Sequence, residues 1–105
     1  QTGFKTDIGP LIETAVYNEL ILRGFDVFVG KTTKGGIDFI AMDGESRSYY
    51  QVAYLMPDEN VVQREFGAYA GIADHYPKYV ISMDKFDFSR DGIRHVNLID
   101  FLMER

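Results

Sequence analysis

Apolar residues at positions 8, 11, 12, 15, 16, 20 and 22 recur at the spacing of one helical face, and Gly24 follows where such a helix stops. The pattern predicts a first helix over residues 8–23. The period then shortens. Residues 25–29 read as a short strand, 30–36 as a turn, and 37–42 as a second strand that ends at Asp43-Gly44, a hairpin signal. Residues 49–55 read as a third strand. Pro57-Asp58 breaks the chain and offers an N-cap to a second helix, whose apolar positions Val61, Val62, Phe66, Tyr69, Ala70 and Ala73 fall at helical spacing before Pro77 ends it. Residues 78–83 predict a fourth strand, 84–92 a polar loop anchored by Phe86 and Phe88, and 95–98 a fifth strand leading into a terminal stub over 99–103. The order α-β-β-β-α-β-β, a meander followed by a crossover helix, predicts an α/β domain with a mixed central sheet flanked by helices.

At 105 residues the chain fits one domain, and 46% hydrophobic with 14% aromatic residues is enough for a packed core. Sixteen acidic against eleven basic residues give a net charge of −5, which opposes a sequence-independent attraction to phosphate backbones. Nucleic-acid binding therefore requires a local basic patch, for which Lys31, Lys34 and Lys78 are the candidates. The absence of cysteine excludes disulfides, thiolate zinc sites and thiol nucleophiles, and is compatible with the cytoplasm. No apolar run approaches the roughly 20 residues that span a bilayer, so no membrane partner is expected. The chain opens on Gln1 without an initiator Met, and the expectation is a C-terminal piece of a longer polypeptide.

Candidate chemistry concentrates on the second and third strands. Side chains alternate along a strand, so Asp38 and Ile40 share one face and Ile37 and Phe39 the other, while Gln51 lies with Tyr49 and Ala53, opposite Tyr50, Val52 and Tyr54. If the two strands pair as a hairpin, Asp38 and Gln51 meet, and their carboxylate and amide oxygens suit one Mg2+ or Mn2+ ion. If that site is vacant, Asp38→Ala leaves stability intact or improves it; a large loss points to a structural ion pair. Glu19 falls inside the apolar stripe of the first helix and has two readings, a pair with Arg23 one turn on or a carboxylate supporting the site. Gly30-Lys31-Thr32 does not make a phosphate loop, because it leads into a strand. His75 and His95 read as capping or surface residues, Ser82 and Ser89 have no triad partners, and Tyr49, Tyr50 and Tyr54 read as packing residues.

Glu13, eleven residues before Gly24-Phe25, then Asp38 in Gly35-Gly36-Ile37-Asp38-Phe39-Ile40-Ala41, then Gln51-Val52-Ala53 together resemble the PD-(D/E)XK (restriction-endonuclease-like) nuclease fold. More narrowly, residues 13–20, 24–31 and 37–40 resemble the C-terminal domain of unknown function that follows the ATPase module of prokaryotic AAA-type ATP-binding proteins, over essentially the whole chain. The resemblance implies that Glu13 is the helix carboxylate, Asp38 the central metal ligand and Gln51 the second ligand, in a place usually held by Glu or Asp. Ala53 stands where the catalytic lysine belongs. A methyl group cannot hold a proton or neutralise transition-state charge, and a neutral Gln51 attracts a dication less than a carboxylate does. The expectation is a catalytically degenerate accessory or interaction domain, with the ATPase module of the same polypeptide or another protein as partner and ATP bound outside this domain. The alternatives are an active divalent-metal DNA nuclease in which Lys31 or Lys34 replaces the missing lysine, and a regulatory domain that binds nucleic acid without cutting it.

Overall fold

The computed structural model describes residues 8–32 and 35–104. Helix α1 spans Ile8–Leu22 and turns Ile12, Val16 and Leu20 inward. It closes as the sequence predicts: Gly24 takes a φ of 92°, the Gly24 N–H donates to the Ile21 carbonyl (2.9 Å) and the Phe25 N–H to that of Leu20 (3.1 Å). That left-handed closure satisfies carbonyls that the helix end leaves open.

Three strands follow as an antiparallel meander, β1 (Asp26–Thr32), β2 (Gly35–Asp43) and β3 (Ser46–Val52). Helix α2 (Glu59–Gly67) starts where Asp58 accepts the Val61 N–H at 3.0 Å and runs into a 3-10 turn, Ala68–Gly71. Two further strands follow, β4 (Lys78–Ser82), parallel to β3, and β5 (Arg94–Asn97), parallel to β4, giving a five-stranded mixed sheet in the order β1-β2-β3-β4-β5. A parallel pair needs a crossover, which α2 and its 3-10 turn supply. The chain ends on α3 (Leu98–Met103), capped by Asn97, whose side-chain oxygen accepts the N–H groups of Ile99 (2.9 Å) and Asp100 (3.3 Å).

Element ends differ from expectation where tertiary pairing overrides local pattern. The strand predicted to stop at 29 continues to Thr32 against Gly35, so the expected turn over 30–36 shrinks, and residues 33 and 34 lie outside the described residues. The third strand begins at Ser46 and leaves β2 early, while its continuation stays beside β4: the Ala53 N–H donates to the Ile81 carbonyl (2.9 Å) and the Met83 N–H to that of Tyr54 (2.8 Å). Leu98 belongs to α3 rather than to the fifth strand because the Asn97 cap starts the helix there.

The sheet separates two apolar layers. Under α1 and α3 lie Val16, Leu20, Ala41, Tyr50, Val52, Ile81 and Phe101; under α2 lie Ile37, Tyr49, Val62, Phe66, Tyr69 and Val80. Val16, Leu20 and Ile81 are fully covered (0% exposed). Each such side chain contributes about 1.5–3 kcal/mol relative to its exposed state.

Strict alternation along β2 fails at one point that shapes the site. Phe28 pairs with Ile40 and Gly30 with Ile37, so two steps on β1 (28 to 30) face three on β2 (40 to 37), which places a bulge at Asp38-Phe39. The extra residue turns Ile37 onto the α2 face beside Ile40, while Phe39 packs on the α1 face; the expectation that Ile37 and Phe39 share a side is corrected accordingly. Gly30 lies against this pair. A Cβ there would stand 2.9 Å from Ile40 Cδ1 and 3.1 Å from Ile37 Cβ. Gly30→Ala is therefore expected to destabilise the fold by about 1–3 kcal/mol in urea unfolding. Gly67→Ala, at a helical φ of −66° with nothing within 4 Å of its new methyl, is expected to be neutral or to stabilise by up to about 1 kcal/mol.

Candidate functional site

β2 and β3 stay hydrogen-bonded from Asp43↔Ser46 to Phe39↔Tyr50 and then diverge, because β3 turns to follow β4. Divergence leaves two backbone N–H groups facing a widening gap. Gln51 Oε1 accepts the Asp38 N–H at 2.8 Å, and Asp38 Oδ2 accepts the Val52 N–H at 2.8 Å. The sequence-predicted meeting of Asp38 and Gln51 thus occurs, as a reciprocal clasp in which each side chain completes the other strand's ladder. Burial raises the Asp38 pKa, and the bond from Val52 opposes that shift without cancelling it.

A third group enters from α2. The Gln51 amide nitrogen donates to Glu65 Oε1 at 3.4 Å, and the Glu65 side chain is 15% exposed. Its pKa is raised by burial first, then by the nearby Asp38 carboxylate, with a smaller contribution from Glu13 on α1. Glu13 is half-buried and within the electrostatic reach of this group. Strand alternation places Ala53 with Tyr49 and Gln51 as expected, and its methyl packs against the α2-side core. An open cavity of about 410 Å³ lies at this fork, bordered by Gly36, Gln51, Gln63, Arg64 and Glu65. Arg64 is 72% exposed, with its Nε 3.8 Å from Glu65 Oε2.

Glu65 and Arg64 carry a signal that sequence reading missed. Glu65 stands three residues after Val62 and four before Tyr69, both buried, so an acid occupies a position on the inward face of α2. Lys34 lies outside the described residues, as does the side chain of Lys31, whose backbone belongs to β1. Lys78 donates to Asp74 Oδ1 at 2.9 Å, so its charge is already matched.

Whether Asp38, Gln51 and Glu13 fit a divalent ion is a question of donors. One oxygen each of Asp38 and Gln51 already accepts a backbone N–H, and among the described residues no three His, Cys, Asp or Glu side chains are grouped to hold a metal ion. An ion bound by Asp38 and Gln51 would therefore compete with those two amides for the same oxygens.

Of two further residues, Glu19 follows the first of its two readings, the pair with Arg23, and His95 departs from its own. Glu19 is 2% exposed and pairs with Arg23 (2.9 Å), whose guanidinium also donates to the Phe101 and Glu104 carbonyls, so the ion pair ties α1 to α3 instead of supporting the fork. His95 is buried at 7% rather than a surface or capping residue, and it meets Ser82, which in turn bonds Asp84. Its Nδ1 accepts the Phe88 N–H (3.2 Å), so Nε2 carries the proton, donates to Ser82 Oγ (2.7 Å), and Ser82 donates to Asp84 Oδ2 (2.7 Å). Nucleophile activation needs the opposite polarity, with histidine accepting from serine. The trio is a buried structural chain, and burial lowers the His95 pKa. His75 is exposed; of the loop phenylalanines, Phe88 packs inward while Phe86 is 70% exposed and anchors nothing beyond its ring contact with Phe88.

The fold and fork define a mixed α/β domain with a five-stranded sheet between helices. No protein-family model matches the chain. It is 33% identical over 94 residues, 89% of its length, to an uncharacterized protein of Haemophilus influenzae, and it spans 23% of that relative's length. Among the described residues, no helix is long and apolar enough to cross a membrane.

The clasp makes Asp38 structural without an ion pair. Asp38→Ala strands a buried Val52 N–H and is expected to lose about 1–3 kcal/mol in urea unfolding, whereas Asp38→Asn, which keeps an acceptor, loses less. For Glu65, a folded pKa above the ordinary 4.5 means that stability is fully present below pH 4.5 and is lost as pH rises through the folded value. Glu65→Gln is expected to raise the thermal midpoint at pH 7 and to change it little at pH values below 4.5, as followed by circular dichroism.

Proposed function

We propose that this chain is a nuclease-like domain of the PD-(D/E)XK type whose catalytic constellation has become a structural clasp. It serves in the cytoplasm as an accessory, interaction domain associated with an AAA-type ATPase module, of the same polypeptide or of another protein. The observation that carries the reading is the reciprocal bonding of Asp38 and Gln51 to the backbone amides of Val52 and Asp38 (2.8 Å each). Groups expected to face a metal and a phosphate instead close the gap between two strands.

Ala53 supports the same reading. The methyl at the expected lysine position is packed against the core, and a general acid or electrophile is missing there. The order of elements, with three antiparallel strands and a helical crossover into two parallel ones, agrees with the nuclease-like arrangement. The Haemophilus relative, of which the matched stretch is 23%, fits a module carried within a longer polypeptide.

One observation favours the second reading, an active Mg2+- or Mn2+-dependent DNA nuclease. Glu65 adds a carboxylate to the fork beside Gln51, in the field of Asp38 and Glu13, and Arg64 brings a cation to the same cavity. Such an enzyme requires the clasp to open so that the Asp38 and Gln51 oxygens are released.

Incubation of single-stranded, duplex and branched DNA with the chain and manganese, beside Asp38→Asn, separates the readings. No cleavage by either protein is expected. Cleavage by the parent that Asp38→Asn abolishes would overturn the degenerate reading and establish the nuclease.

A further inference from the structure

A second cavity lies away from the fork, on the face covered by α1 and α3. Tyr50 of β3 is in register with Tyr79 of β4, and Tyr79 with Arg94 of β5, so the three side chains form one row across the parallel strands. The Tyr50 and Tyr79 rings are stacked, with centroids 5.0 Å apart and planes inclined by 15°. Beside them a cavity of about 270 Å³ reaches down to Ile81 and is walled by Val96 and Phe101.

Charge in this cavity is unevenly used. Arg23 lines it but is committed to Glu19 and to the Phe101 and Glu104 carbonyls, and its guanidinium lies 4.3 Å from the Phe101 ring centroid. Glu104, at the rim, offsets one positive charge. Arg94 is exposed and, beyond the field of nearby Asp87, its guanidinium has neither a hydrogen bond nor an ion pair among the described residues. The Tyr79 hydroxyl likewise has no hydrogen-bond partner among them. An aromatic wall, an apolar floor, an available guanidinium and an available phenol are the complement of a flat ring that carries an anionic group.

We propose that this cavity binds a small planar aromatic anion, its ring laid against Tyr79 and Phe101 and its phosphate or carboxylate held by Arg94. The site is independent of the fork and of the nuclease-like reading. Arg94 presents a planar fork of donors suited to either anion, and the rings supply contact that a bare anion lacks.

Titration of the isotope-labelled chain with adenosine monophosphate and with 4-hydroxybenzoate, followed by amide chemical shifts, tests this directly. Inorganic phosphate and acetate serve as ring-free controls. Saturable shifts at Tyr79, Arg94 and Val96 are expected with at least one aromatic anion, weakened by about tenfold or more in Arg94→Gln and in Tyr79→Leu. Response to the nucleotide alone assigns a phosphate ligand, and to the benzoate alone a carboxylate. The absence of saturable shifts with both aromatic anions up to about 10 mM would overturn the proposal. So would an Arg94→Gln protein that binds as tightly as the parent, or equal shifts with phosphate or acetate. Arg94 is exposed, so Arg94→Gln is expected to keep the fold, and amide shifts away from the cavity that match the parent's check that a loss of binding reads on the site.

Discussion

β3 must satisfy two partners that pull apart, antiparallel β2 on one side and parallel β4 on the other, and the Asp38–Gln51 clasp is what lets it do so. Where the strands separate, two part-buried amides lose their ladder partners. The two side chains replace the missing carbonyls. The bulge at Asp38-Phe39 is part of the same solution, because it aims Asp38 into the gap while returning Ile37 to the α2-side core beside Ile40. Gly30 suits the place opposite them, since any Cβ there would press on both isoleucines and make them shift.

The fork also concentrates negative charge. Asp38 and Glu65 both have raised pKa values, so in the folded chain each holds a proton to higher pH than an exposed acid would. Two other buried polar groups are matched: Glu19 pairs with Arg23, whose guanidinium ties α1 to α3, and the chain from His95 through Ser82 to Asp84 extends to the Met56 N–H (2.9 Å), linking β4 and β5 to the segment that leaves β3. The links from Arg23 to Phe101, from His95 to Ser82 and from Asp84 to Met56 join elements already formed by local pattern.

That division decides what the sequence made legible. The apolar stripe of α1 with Gly24, the Asp58 cap of α2 and the Asp43-Gly44 hairpin are local signals, and each appears where it was read. The mixed sheet followed from the order of those elements. The bulge did not, because it depends on the register of β1 against β2; nor did Glu65, whose significance depends on which face of α2 meets Gln51. The buried role of His95 is not legible in the sequence because its partners Ser82 and Phe88 come from β4 and a loop, and nothing in its neighbours along the chain announces them. Asp38 and Gln51 were found by spacing, yet their role could not be read that way, since the same meeting of side chains serves a metal ion or a pair of amides.

Amide hydrogen exchange at Asp38 and Val52 is the most direct test of the clasp. Protection comparable to that of the neighbouring Phe39 and Tyr50 amides, unchanged by added Mg2+, is expected if the two side chains close the fork. Rapid exchange at both positions, or amide shifts there that titrate with Mg2+, would contradict it and return Asp38 and Gln51 to the metal.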